Sequence, residues 1–192
     1  MLTIKPIPEL AGPLYGKEPW PLRFHTHSFS AKSLNTLASA IVYNNFMFGK
    51  RKAGIYGEPV DSPSGPPPEG IDWKKFWKAG HSIITDDGQT FPGPVEMEWI
   101  SLDGVAHRTS LALEEIFPDR QIHHRVARSE VKDAWLETLS FHPVKPEILL
   151  ELNDRTVRVY MRAMIVSNIE TRPGDPLSCL RNELVEVWAQ SY

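Results

Sequence analysis

The stretch EILLELNDRTVRVYMRAMIV, residues 147–166, carries the strongest fold signal in the chain. Val157 and Val159 are separated by one polar residue, and residues two apart on a strand lie on the same face of a sheet. Asn153 and Asp154 both tolerate the positive φ of a tight turn. The stretch therefore predicts a β-hairpin that turns at this pair, and its second strand is predicted to be central in a sheet.

Upstream of this hairpin, residues 31–47 predict a helix because apolar residues recur there at helical spacing. Ser30 can cap its start, and Gly49 follows its end. The apolar positions are Leu34, Leu37, Ala38, Ile41 and Val42.

A second, shorter helix is predicted to begin at Asp72, whose carboxylate can cap the first free amides. Trp73, Phe76 and Trp77 then fall on one side of the helix, and Gly80 is expected to end it.

Between residues 81 and 109 the pattern changes to strands. The segments HSIIT, VEMEWISL and VAHRT are separated by Asp86-Asp87-Gly88 and by Asp103-Gly104, which are typical turn sequences. This part of the chain predicts an antiparallel meander.

Three further segments are predicted to be helical. Residues 110–117 form one or two turns that Pro118 ends, and Ser129 caps a helix containing Val131, Trp135 and Leu139. The pair Asp175-Pro176 begins a helix whose stripe is Leu177, Leu180, Leu184, Val187 and Trp188, although ELVEVW is also compatible with a strand. Helices and strands arranged in blocks predict an α+β fold, a largely antiparallel β-sheet packed with three to five helices.

Length and composition predict one domain, residues 1–192. The 192 residues are 41% hydrophobic and 23% charged, which is enough to bury one core. Five prolines within residues 58–70 exclude a helix there and predict a long exposed loop. No stretch reaches the roughly 20 apolar residues that cross a membrane, and the single cysteine, Cys179, suits a reducing compartment. A cytoplasmic protein is expected.

Histidines suggest a possible metal site but do not complete one. His25 and His27 are two residues apart, and no recognised spacing connects them to His123 or His124. The chain contains no Gly-x-Ser-x-Gly elbow, phosphate loop or dinucleotide fingerprint. We therefore predict no catalytic residue, no bound metal and no cofactor.

A second candidate metal site consists of carboxylates, two of which lie on the predicted strand VEMEWISL. Glu96 and Glu98 share one face of it, and Asp86 and Asp87 precede them by about ten residues, an arrangement that metal nucleases use. The strand carries no lysine to stabilise a developing negative charge. Ordinary alternation favours a solvated outer strand face.

Charge is distributed unevenly along the chain, whose net charge is -3. Residues 1–60 sum to +4, residues 61–120 to -6 and residues 121–192 to -1. The acidic third also holds three tryptophans, and aromatic anchors beside carboxylates suit a surface that grips a basic protein. The predicted partner-binding residues are Asp72, Trp73, Trp77, Asp86, Asp87, Glu96 and Glu98, and the tryptophans Trp73, Trp77 and Trp99 could equally belong to the core.

The segments GIDWKKFWKAG and VEMEWISLDG, together with the chain length and the α+β layout, resemble the immunity proteins of bacterial polymorphic toxin and type VI secretion systems. The nearest are those paired with restriction-endonuclease-like toxins. This resemblance implies a cytoplasmic, non-catalytic antitoxin that binds and neutralises a cognate secreted effector, a nuclease. It assigns no functional residue. The alternatives are a metal-dependent hydrolase that uses His25, His27 and acidic residues, and a non-enzymatic adaptor subunit; neither nucleic acid nor membrane is an expected partner.

Overall fold

The computed structural model describes residues 20–48, 52–53, 59–60, 63–83, 85, 89–139 and 142–192, with the backbone alone described at 52–53 and 59–60. The strands are β1 (Ser28–Leu34), β2 (Thr36–Tyr43), β3 (Phe46–Phe48), β4 (Lys52–Ala53), β5 (Pro59–Val60), β6 (His81–Ser82), β7 (Val95–Ser101), β8 (Ala106–Leu111), β9 (Glu147–Asn153), β10 (Thr156–Arg162), β11 (Ile165–Val166), β12 (Leu180–Arg181) and β13 (Leu184–Ser191). The helices are α1 (Trp73–Phe76), α2 (Leu113–Ile116) and α3 (Asp133–Thr138), and 3₁₀ turns cover Arg128–Glu130 and Pro176–Cys179. Helix and strand are mixed, with strand predominating, and no described helix is long and apolar enough to span a membrane.

A five-stranded sheet is built around the predicted hairpin, in the order β13-β10-β9-β1-β6. The hairpin β9–β10 is confirmed, but its turn lies one residue later than predicted: Asn153 ends β9 opposite Thr156, and the two turn residues are Asp154, in the left-handed region at φ +51°, and Arg155. β10 has a neighbour on each side, as predicted. β1 runs parallel to β9, whereas the other neighbouring strands of this sheet are antiparallel.

A four-stranded antiparallel sheet has the order β3-β2-β7-β8. The predicted hairpin at Asp103-Gly104 is confirmed as β7–β8, and Gly104 supplies the positive φ of +83° that this turn requires. The predicted meander is wrong at its first strand, because β6 pairs with β1 in the other sheet.

The helix predicted over residues 31–47 is wrong, because this segment forms the end of β1, then β2 and β3. Asn35 at φ +50° separates β1 from β2, and Asn44 and Asn45 at φ +49° and +58° make the turn into β3. These left-handed residues interrupt any helix. The apolar spacing resembled a helical stripe because the break at Asn35 shifts the alternation, which leaves Leu37 40% exposed.

Three of the other helical predictions are right in position but too long. α1 begins after Asp72 and ends at Phe76 rather than near Gly80, and α3 begins at Asp133 rather than after Ser129. α2 lies where residues 110–117 were predicted to turn.

The C-terminal segment divides between a turn and a strand. Asp175 caps the second 3₁₀ turn, since its Oδ1 accepts from the Leu177 amide at 3.1 Å, but this turn ends at Cys179, which is half-buried. The remainder of the predicted helix is β12 and then β13, of which β13 is the strand alternative.

The predicted loop at residues 58–70 includes β5 and, at Ser64, an isolated bridge to Thr36. Ser64 is buried, and most of residues 65–70 are exposed.

The two sheets share one hydrophobic core. One face of each contributes buried side chains, among them Phe29, Ile148, Leu150, Val157, Val159 and Met161 from the five-stranded sheet and Ile41, Tyr43, Val95, Met97 and Trp99 from the four-stranded sheet. Leu113 of α2 and Leu136 of α3 belong to the same cluster. The removal of these apolar side chains from water is the main source of stability in such a fold.

At one end of the core the β7–β8 turn is hydrogen-bonded to the β9–β10 turn. The Asp154 carbonyl accepts from Trp99 Nε1 at 2.8 Å, and its Oδ1 accepts from the Leu102 amide at 2.8 Å. Asp103 pairs with Arg155 across the same junction. Asp154 therefore joins the two sheets while it turns the hairpin.

Asp154→Ala should lower the free energy of unfolding by about 2 kcal/mol, because alanine is strained in the left-handed region and gives the Leu102 amide no acceptor. Asp154→Asn, which tolerates this φ and keeps Oδ1, should stay within about 0.5 kcal/mol of the parent. Urea unfolding monitored by circular dichroism measures both. An alanine variant as stable as the asparagine variant would contradict this role of Asp154.

Candidate protein-binding surface

α1 packs on the outer face of the five-stranded sheet, away from the shared core. Leu149 and Tyr160 point outward there, because their neighbours along β9 and β10 point inward, and Trp77 packs against both in a second buried cluster. Trp77 Nε1 donates to Ser30 Oγ at 3.2 Å. The residue after α1 is therefore fixed to β1, β9 and β10.

Arg162 on β10 holds the carboxyl end of α1. Arg162 is 8% exposed. Its guanidinium donates from Nη1 to the Trp77 carbonyl at 2.5 Å and from Nη2 to the Lys74 carbonyl at 2.7 Å. Nη1 also lies 3.3 Å from Glu147 Oε2. The Lys74 carbonyl also accepts from the Trp77 amide at 3.3 Å, so the cation adds a second, charged donor at the negative end of this helix.

Lys74 ties α1 to the middle of the sheet. Its Nζ lies 2.7 Å from Oε2 of Glu151, which is only 3% exposed, and donates to the Tyr160 hydroxyl at 2.5 Å. Burial lowers the pKa of Lys74, but the hydrogen bonds to Glu151 and Tyr160 outweigh it, so the pKa is raised above its usual range. Arg158 Nη1 lies 3.6 Å from Glu151 Oε1. The buried carboxylate thus has two cationic neighbours.

Trp73 and Trp77 form a tilted pair with ring centroids 5.2 Å apart. Lys32 Nζ of β1 lies 5.0 Å from the Trp73 ring centroid and 5.5 Å from that of Trp77, within the range of cation–π attraction. Trp73 is half-buried and Trp77 is buried. Of the two predicted anchors, Trp73 alone has surface available to a partner.

Large apolar groups are exposed in α1 and just before it. Phe76 is 71% exposed and Ile71 is 59% exposed, with exposed Asp72 and Lys75 beside them. We call Ile71, Asp72, Trp73, Lys75 and Phe76 the α1 surface. Apolar side chains held at fixed positions on a rigid base are the usual anchors of a protein interface.

The predicted carboxylates of β7 lie elsewhere. Glu96 and Glu98 are exposed on the outer face of the four-stranded sheet, since Val95, Met97 and Trp99 alternate with them and point into the core. The structure therefore places them across the core from the α1 surface, and it does not bring the predicted binding residues together on one face. Asp86 and Asp87 lie outside the described residues.

Both β7 carboxylates have partners on β8. Glu98 Oε1 lies 3.5 Å from Arg108 Nε, and Glu96 Oε1 accepts from Ser110 Oγ at 2.8 Å. Their arrangement is that of an ordinary solvated strand face. Trp99, the residue after Glu98, is a core residue.

The two histidines of the predicted pair, His25 and His27, differ in burial. His27 is buried, its Nε2 lies 3.1 Å from the Tyr43 hydroxyl, and burial, with a contribution from Lys145, lowers its pKa to about 3. His25 is half-buried in the irregular segment before β1. In the described parts of the chain, no three histidine, cysteine or acidic side chains are grouped as metal ligands.

Sequence reasoning missed the polar network under α1 and the exposure of Ile71 and Phe76. The hairpin gives a signal for the network when its turn is placed at Asp154-Arg155, because that register sets Glu151 opposite Arg158 and Glu147 opposite Arg162. Opposite charges directly across two strands usually stabilise a sheet.

The chain matches no protein-family model, no curated protein and no solved structure with which it was compared.

Arg162→Met should lower the free energy of unfolding by about 2–4 kcal/mol, because it removes the charged donor that serves two carbonyls of the α1 segment and the Glu147 carboxylate. It should also speed amide hydrogen exchange in α1 more than in β7. Arg108→Met is the control, since Arg108 pairs with exposed Glu98 and such pairs contribute at most about 1 kcal/mol. Equal exchange in α1 for parent and Arg162→Met would show that Arg162 does not hold the helix.

His27 should make the protein sensitive to mild acid. Because its pKa is about 3 in the folded chain and near 6.5 when unfolded, the unfolded state takes up the proton first, and stability is lost as pH falls from about 6.5 towards 3. We expect about 2 kcal/mol less stability at pH 5 than at pH 7.5 from this group. His27→Gln, compared with the exposed control His142→Gln in urea unfolding at both pH values, should remove this difference. A pH dependence unchanged in His27→Gln would refute the assignment.

Proposed function

We propose that this chain is a non-catalytic protein-binding module whose α1 surface docks a protein partner. The observation that carries the proposal is the exposure of Phe76 and Ile71 on a short helix that Arg162 and Lys74 fix to the sheet through buried contacts. A surface ordered before binding loses little conformational entropy on association, so more of the contact energy appears as affinity.

The partner we propose is a secreted bacterial effector, a nuclease, which the chain neutralises as an immunity protein in the cytoplasm. The segment GIDWKKFWKAG, which carries the resemblance to such proteins, is the segment that forms α1 and its flanks. Neutralisation by this route needs only a tight complex that covers or distorts the effector's active site, and it requires no catalytic group from this chain.

The α1 surface also limits what the partner can offer. Phe76 and Ile71 need an apolar pocket, and Asp72 and Lys75 beside them call for a cation and a carboxylate at its rim. Glu96 and Glu98, across the core, contribute to this contact only through long-range steering, which falls off beyond about 10 Å at 0.1 M salt.

The test uses the full-length chain to capture proteins from cells of its native host. A captured protein supports the proposal if it arrests growth when expressed alone in another bacterium and if co-expression of the parent chain restores growth. Phe76→Ala should then weaken binding by about 2 kcal/mol, a factor of about thirty in Kd, and weaken the protection, as expected for a hot-spot residue.

Two controls locate the surface. The double variant Glu96→Lys, Glu98→Lys changes the opposite face, and Leu177→Ala removes another highly exposed apolar side chain. Both should protect as well as the parent. Loss of binding in the β7 variant alone would move the interface to the four-stranded sheet, and a captured partner without toxicity would contradict the neutralising role.

A further inference from the structure

The edge strand β13 has the features of a strand that pairs with another chain. It lies at one end of the five-stranded sheet, it is eight residues long, and among the described residues only β10 pairs with it. The opposite edge, β6, has two residues. Between Leu184 and Ser191 there is no proline or lysine, two of the residues with which proteins protect a sheet edge, and Glu186 is the one charged residue.

The backbone groups that face the open edge follow from the pairing with β10. The Tyr192 amide donates to the Arg155 carbonyl at 2.9 Å, so alternate residues from Tyr192 backwards face β10, and the amides of Ser191 and Ala189 face outward. A bulge lies between the pairs Val159–Trp188 and Tyr160–Glu186, and it leaves Val187 as the extra residue of β13.

Beyond the bulge the alternation resumes with the opposite parity. Val185 pairs with Met161, which is two residues from Val159 on β10, so Val185 faces β10 in the same way as Trp188. Leu184 and Glu186 therefore turn their amides outward. The complete outward set is Leu184, Glu186, Ala189 and Ser191.

This set is self-complementary in an antiparallel arrangement. A second β13 placed about a two-fold axis between Val187 and Trp188 sets Leu184 opposite Ser191 and Glu186 opposite Ala189. Each residue with an outward amide then lies opposite another residue with an outward amide. The bulges of the two strands lie side by side, so both strands have the same number of residues between the paired positions. No like charges are opposed, since Glu186 is the only charged residue of the strand and its partner is alanine.

We propose that two copies of this chain associate through β13. The two β13 strands pair antiparallel, so that the two five-stranded sheets become one continuous sheet. The contact is isologous, which closes the assembly at a dimer. It uses the sheet edge and leaves the α1 surface on the outer sheet face, so the proposal is independent of the protein-binding function above.

Sedimentation velocity of the full-length chain over a wide range of concentrations tests the proposal, with Ala189→Pro as the main variant. The Ala189 amide faces outward, so proline there preserves the bonds to β10 but removes a donor from the junction. We expect a concentration-dependent dimer for the parent and a monomer for Ala189→Pro, with matching circular dichroism and melting curves.

A charge pair separates the junction from folding effects, should proline disturb the strand. Ala189→Glu opposes Glu186 of the second copy, whereas Ala189→Lys attracts it. Within one chain the two substitutions have the opposite effects, because position 189 lies opposite Arg158, which attracts glutamate and repels lysine. We expect Ala189→Glu to raise the dimer dissociation constant about tenfold or more relative to Ala189→Lys, since the unfavourable contact occurs twice by symmetry.

A parent chain that stays monomeric at every concentration would overturn the proposal. So would a dimer that folded Ala189→Pro and Ala189→Glu leave unchanged, because it would use another surface. If β13 instead accepts a strand from a different protein, the purified chain remains monomeric alone, which is also a negative result for self-association.

Discussion

The conformation of Asp154 is the constraint on which the rest of the structure depends. Its left-handed φ makes the two-residue turn that sets Val157 opposite Leu152 and Arg158 opposite Glu151. A register slip of one residue would exchange the faces of β10 and place its arginines in the core. The same residue accepts hydrogen bonds from Trp99 and Leu102, so one turn fixes both the hairpin register and the junction of the two sheets.

Correct register gives β9 and β10 two different faces, and the outer one becomes a base for α1. Glu151 and Arg162 are buried there although they are charged, which is tolerable because each has opposite charges or carbonyl groups as partners. A buried ion pair contributes little net stability, since desolvation offsets most of the attraction. Its effect here is positional: a four-residue helix, too short to be stable alone, is fixed to the sheet by contacts that require one geometry.

Local signals explain what could be predicted from the sequence. Both hairpins, β9–β10 and β7–β8, are specified by their own turn residues and were predicted correctly, although the first turn uses Asp154 and Arg155 rather than Asn153 and Asp154. Residues 31–47 were not, because Asn35 breaks the strand alternation into a spacing that imitates a helix, and the partners of this segment, β7 and β9, are distant in the sequence. The candidate site likewise combines contacts that local sequence can predict with contacts that it cannot. The Glu151–Arg158 pairing follows from the hairpin register once the turn is placed at Asp154-Arg155, one residue later than predicted, whereas the docking of Lys74 and Trp77 depends on contacts 86 and 47 residues away.

Net charge over a window of sequence is also a poor guide to a surface. The acidic middle third contains both α1 and β7, yet the fold places them on opposite sides of the core, and α1 itself carries lysines. Phe76 and Ile71 are too few for a stable interface, which buries about 800 Å² on each partner. A partner seated on the α1 surface must therefore extend over the outer sheet face, where Lys32, Arg158 and Glu186 mix both signs. Such a partner needs a matching mixture of charges, and a uniformly basic surface, which the sequence average favours, would meet repulsion from Lys32 and Arg158.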